Sequence, residues 1–92
     1  MMADRVQTLT DLFAEAGRAH HRAFIETDGA DDEWPIWYAD YLMDKLAPLL
    51  GVKITKSELV YVLVLLSKEH PRLAPNEPWP GYYARYLMQQ YA

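Results

Sequence analysis

The 92-residue chain contains no cysteine. That excludes a disulfide framework, a thiolate zinc site and a cysteine nucleophile. No apolar run reaches the roughly 18 residues a membrane helix needs. No basic-then-apolar segment opens the chain either, so the expected setting is the cytoplasm, with no membrane partner. Basic residues are the minority, 9 Lys and Arg against 13 Asp and Glu, and the net charge of −4 disfavours a nucleic-acid partner. Serine is confined to Ser57 and Ser67, neither beside a histidine. No G-x-S-x-G, phosphate-cradling glycine loop, dinucleotide fingerprint or H-E-x-x-H occurs, so no catalytic residue and no cofactor is assigned.

What is present suits a small globular domain: 51% of the residues are apolar and 24% charged. The length supports one domain over residues 1–92, and a single core of this size is marginal on its own. Self-association is therefore expected.

The hydrophobic spacing predicts an all-α fold of four helices. Val6, Leu9, Phe13, Ala16, His20 and Ala23 recur at steps of three and four, which predicts a helix over 4–27 with Asp4 as N-cap and Asp28-Gly29 as its stop. A second helix is expected to begin at Pro35, with Trp34 extended before it. It should end at Gly51, with Pro48 shortening or kinking its last turn. Thr55 and Glu58 match a capping box and open a third segment over 55–70. Its centre, residues 59–66, is eight apolar residues in a row, and periodicity alone cannot tell helix from strand there. The capping box, and the lack of any other stretch to pair with, favour helix. Pro71, Pro75, Pro78 and Pro80 predict an extended connection, and a fourth helix follows from Pro80.

The most specific feature is an internal repeat. Residues 34–47 read WPIWYADYLMDKLA and residues 79–92 read WPGYYARYLMQQYA, identical at eight of fourteen positions with an offset of 45. The expected architecture is a four-helix bundle of two similar helix–loop–helix halves, 1–50 and 51–92, related by a pseudo-two-fold axis. On a helical projection Trp34, Tyr38 and Tyr41 share one face, as do Trp79, Tyr83 and Tyr86. Two roles compete for these six residues. They anchor each hairpin in the core, or they form walls of a pocket or a docking surface, since tyrosine and tryptophan combine apolar area with a polar group needing a partner.

His20 falls on the apolar stripe of the first helix. It reads either as a core or core-edge imidazole satisfied by a tyrosine hydroxyl or backbone carbonyl, or as a general base or metal ligand inside an aromatic pocket. Its only prospective carboxylates are Glu26, Asp28, Asp31, Asp32 and Glu33, which reach it only if their loop folds back. Those acids lack EF-hand spacing, so no metal site is assigned. Charge divides unevenly: residues 1–47 carry ten acids and four bases, net −6, and residues 48–92 carry three acids and five bases, net +2. Opposite halves should attract, within one chain or between two. The function expected first is a non-catalytic helical interaction module that forms a homodimer or docks a protein partner through its Trp/Tyr faces. The alternative is a small-molecule-binding domain with an aromatic pocket and His20 as its polar anchor.

Overall fold

The computed structural model describes residues 2–91, and the described residues form four α-helices and no strand: α1 (Met2–Ala23), α2 (Trp34–Leu50), α3 (Lys56–Leu73) and α4 (Trp79–Tyr91). A short 3-10 turn, Ile25–Thr27, follows α1. α1 packs most extensively on α4, α2 packs on α3, and α1 also lies along α2; α4 meets α2 and α3 over shorter stretches.

The apolar spacing explains the core. α1 buries Leu9, Phe13 and Ala16 together with His20; α2 buries Ala39, Leu42, Leu46 and Leu50; α4 buries Tyr83, Ala84, Leu87 and Met88. The ambiguous run at 59–66 is helical. It buries Leu59, Val62, Leu63 and Leu66 at steps of three and one while Tyr61 stays 68% exposed. An uninterrupted apolar run thus resolves into a helix with a buried stripe and a partly covered flank. Thr55 caps it as the sequence predicts: its hydroxyl oxygen accepts from the Glu58 N–H at 3.1 Å, and the hydroxyl donates to Glu58 Oε1 at 3.2 Å.

Several boundaries depart from expectation. α1 already includes Met2, so Asp4 lies in its first turn instead of capping it. It ends at Ala23, which is exposed, and Asp28 and Gly29 reverse the chain only after the 3-10 turn, at φ of 55° and 86°. Trp34 and Trp79 are each the first residue of their helices, so Trp34 is not extended ahead of Pro35 and α4 begins one residue before Pro80. A proline at the second helical position forfeits nothing, because the first N–H groups of a helix have no intrahelical acceptor. α2 runs through Pro48 to Leu50, and Gly51 stops it in the left-handed region at φ 75°. Pro71, expected in the connection, lies in the last turns of α3, which extends to Leu73.

The two copies of the repeat share burial at some positions and differ at others, Tyr83 and Met88 being buried where Tyr38 and Met43 are half-buried. Ala39 and Ala84 are fully covered, as are Leu42 and Leu87, and Trp34 and Trp79 are half-buried. Across the halves, Lys56 Nζ lies 2.6 Å from Asp40 Oδ1.

Candidate functional site

α1 carries His20 in its last turn, and the reversal at Asp28-Gly29 brings the following chain back over it. Asp31 Oδ2 thereby lies 3.0 Å from His20 Nε2, while Asp31 Oδ1 accepts the Glu33 N–H at 3.0 Å. An ionised carboxylate only accepts, so Nε2 is the donating nitrogen in this contact, and in the neutral ring Nδ1 is then the acceptor. His20 and Asp31 are both well buried, with side chains 8% and 11% exposed. The imidazole is held between aromatic rings: stacked on Tyr38 at 5.0 Å, tilted against Phe24 at 4.7 Å, and edge-on to Trp37 at 5.0 Å. Its partner is thus the folded-back loop, not the tyrosine hydroxyl or backbone carbonyl that a core histidine was expected to find.

Beside this pair opens a cavity of about 410 Å³ to which all four helices contribute. His20, Trp34, Tyr38, Leu63, Ser67, Trp79 and Tyr83 line it with Gly29 and Asp31 of the loop. Its aromatic walls meet edge to face. Trp34 and Tyr38 stand at 81°, Tyr38 and Trp79 at 88°, and Trp79 and Tyr83 at 71°, with centroids 5.1 to 6.2 Å apart. Phe13 backs the second copy, edge-on to both Trp79 and Tyr83.

Among the described residues, neither the Tyr38 nor the Tyr83 hydroxyl makes a hydrogen bond with protein, although Tyr83 is only 7% exposed. No fully enclosed polar side-chain atom among the described residues lacks a partner, so these hydroxyls keep some contact with solvent space; that of Tyr38 lies beside Gly17. Burial raises the Tyr38 phenol above its ordinary value. Burial pushes Tyr83 up to about 12, with the neighbouring Tyr38 and Tyr82 phenols adding to it. Both therefore stay neutral hydrogen-bond donors and acceptors at ordinary pH. Ser67 differs: its hydroxyl donates to the Val64 carbonyl at 2.7 Å, which uses the proton a nucleophile would have to release.

Of the residues singled out by sequence, His20, Trp34, Tyr38, Trp79 and Tyr83 converge on this cavity. Tyr41 and Tyr86 do not. Tyr41 lies outside, stacked on Trp37 at 5.3 Å, donating to Glu15 Oε2 at 3.2 Å and covered by Lys45. Tyr86 is half-buried against the core away from the opening. Sequence reasoning passed over Trp37 and Phe24, which grip the imidazole. The available signal for Trp37 was that the repeat places an aromatic at both copies of this position, Trp37 and Tyr82, though not the same one. The second hairpin has a related contact: His70 Nε2 donates to the Glu77 carbonyl, and its ring packs on Tyr82 at 5.2 Å.

A second, shallower cleft of about 610 Å³ lies beyond the Tyr38–Trp79 wall. Arg18, His21 and Arg22 line it together with Ala14, Gly17 and Pro80. Among the described residues, no group of three or more His, Asp or Glu side chains is placed to hold a metal ion, and no helix is long and apolar enough to cross a membrane. Compared with protein-family models, with curated proteins and with solved structures, the chain matches none.

Proposed function

We propose that this chain is a small-molecule-binding helical domain whose site is the cavity between His20–Asp31 and the paired aromatics. One observation carries the reading: Trp34 and Tyr38 from the first copy of the repeat, and Trp79 and Tyr83 from the second, line the same space. The volume falls within the roughly 300–1,000 Å³ of small-ligand sites, and a few convergent polar atoms in an apolar wall are what such sites contain. The His20–Asp31 pair and the Tyr83 phenol are the polar groups of its lining that a ligand would meet. We also read the two halves as copies of one unit related by an approximate two-fold axis, on the matched burial of Trp34 and Trp79, Ala39 and Ala84, and Leu42 and Leu87, and on the histidine–aromatic contact in each.

The test is ligand-observed NMR with a fragment set on the wild type and on Ser67→Phe, which fills the cavity from α3. Fragments that bind the wild type and not the folded, filled variant support the site. If no fragment binds, or if the filled variant binds as well, the reading fails.

Self-association is the second reading, favoured by the outward apolar side chains: Tyr61 at 68%, Ile25 at 65% and Leu73 at 56% exposure. The Trp/Tyr faces are largely spent on contacts within the chain, so a dimer would form through these residues instead. Sedimentation at micromolar concentration distinguishes a dimer from a monomer, and Tyr61→Lys should dissociate a dimer built on α3.

A further inference from the structure

Resting on the cavity as a binding site, we infer that its ligand is an organic cation, a quaternary or alkylated ammonium group seated in the aromatic box. Ring faces carry negative charge density, and walls set nearly at right angles can turn more than one such face toward a common space. Trp34, Tyr38, Trp79 and Tyr83, which all line the cavity, stand at successive angles of 81°, 88° and 71°, and one face of Tyr38 is taken by the His20 imidazole.

The electrostatics select the same sign. Among the described residues lining the cavity, Asp31 alone carries formal negative charge, and none is a lysine or arginine. His20 shares that carboxylate through Nε2. The loop that closes the site, residues 26–33, holds five acids and no base. An anion would enter a partly desolvated space without a countercharge, whereas a cation finds one. The Tyr83 hydroxyl, buried and unpartnered at the wall, offers a lone pair to the polar end of such a ligand. Anions have a better place on the other side of the Tyr38–Trp79 wall, where Arg18 and Arg22 line the shallow cleft.

The probes are choline and its uncharged isostere 3,3-dimethylbutan-1-ol, titrated into the protein while the indole N–H resonances are followed by NMR. Choline should shift Trp34 and Trp79 and bind at least about tenfold more tightly than the alcohol, a margin in keeping with charge acting on aromatic faces. Asp31→Asn, which removes the charge at nearly unchanged shape and keeps one acceptor oxygen for the Glu33 N–H while its NH2 faces His20 Nε2, which then serves as acceptor in the other imidazole tautomer, should reduce that preference to about threefold or less. Trp34→Leu, at a half-buried position, should weaken choline more than the alcohol. Equal affinity for the two probes overturns the inference and leaves the pocket standing. Fragment binding without choline binding overturns the cation alone. If neither probe nor any fragment binds, the pocket reading falls as well.

Discussion

Asp31 follows His20 by eleven residues and returns to place a carboxylate oxygen 3.0 Å from its Nε2. The contact couples the end of α1 to the start of α2, because the other oxygen of Asp31 holds the Glu33 N–H. Asp31→Ala strands a buried imidazole N–H and frees that turn, so a loss of about 1–3 kcal/mol is expected. Asp31→Asn should lose less. Urea unfolding measures both; an alanine variant as stable as the wild type would mean that the pair contributes nothing to the fold.

His20→Phe tests the same pair from the other side. Phenylalanine suits the space between Phe24 and Tyr38, yet it leaves the Asp31 carboxylate buried without its partner. The single change should destabilise, and removing one member of a buried pair is generally worse than removing both. In a double-mutant cycle with Asp31→Asn, the two losses should fall short of additivity by at least about 0.5 kcal/mol. Strict additivity would show that the two side chains do not interact.

The helices were legible in the sequence because apolar steps of three and four leave few other ways to bury Leu9, Phe13, Leu42, Leu46, Leu63 and Leu66 together. Their ends were less so. Whether a proline stops a helix depends on which N–H it replaces, and at Pro35, Pro71 and Pro80 the pattern does not say. The aromatic half of the site was readable through duplication. Tyr41 and Tyr86 were grouped with it because a helical projection records direction but not where a neighbouring helix ends its contact. Asp31 was one of five acids that a folded-back loop could bring to His20, and the pattern could not single it out: its position depends on two successive left-handed residues, Asp28 and Gly29, and a chain reversal of that kind has no periodicity.

Tyr83 gives the pH dependence. Its folded-state value, pushed up to about 12 mainly by burial, lies above the ordinary phenol value of 10.0 that it regains on unfolding. Above pH 10 the unfolded chain loses this proton first, so the contribution of Tyr83 is complete below pH 10 and declines as pH rises toward 12. Tyrosinate absorbance should show Tyr83 among the last phenols to ionise before unfolding. Tyr83→Phe should flatten the alkaline loss of stability; an unchanged alkaline profile would count against the buried phenol.

Thr55→Ala removes the side-chain acceptor for the Glu58 N–H and should cost about 1 kcal/mol, as N-cap losses do. Thr55→Ser, which keeps the oxygen, should be close to neutral in thermal melts. A serine variant as damaged as the alanine would show that the methyl group, and not the cap, matters there.

Gly17 links helix stability to the site. A methyl group added there would stand 3.0 Å from Cζ2 of Trp79 and 3.8 Å from the Tyr38 hydroxyl oxygen. In an open helix, Gly→Ala gains up to about 1 kcal/mol. Here the indole must move, and it is already flanked by Phe13, Tyr83 and Tyr38 at 5.1 to 6.2 Å between ring centres. Overpacking of that kind typically costs about 1–3 kcal/mol, so Gly17→Ala should come out destabilising by about 1 kcal/mol. Since Trp79 and Tyr38 each border both cavities, displacing the indole should also shift its fluorescence and weaken whatever binds in the aromatic box. Gly51→Ala is the matched control. Nothing lies within 4 Å of its added methyl group, but its φ of 75° penalises alanine, so it should lose stability without moving the Trp79 emission. A Gly17→Ala protein that is more stable and spectrally unchanged would show that α1 and the Trp79 ring are not in close contact, and the wall of the cavity would have to be redrawn.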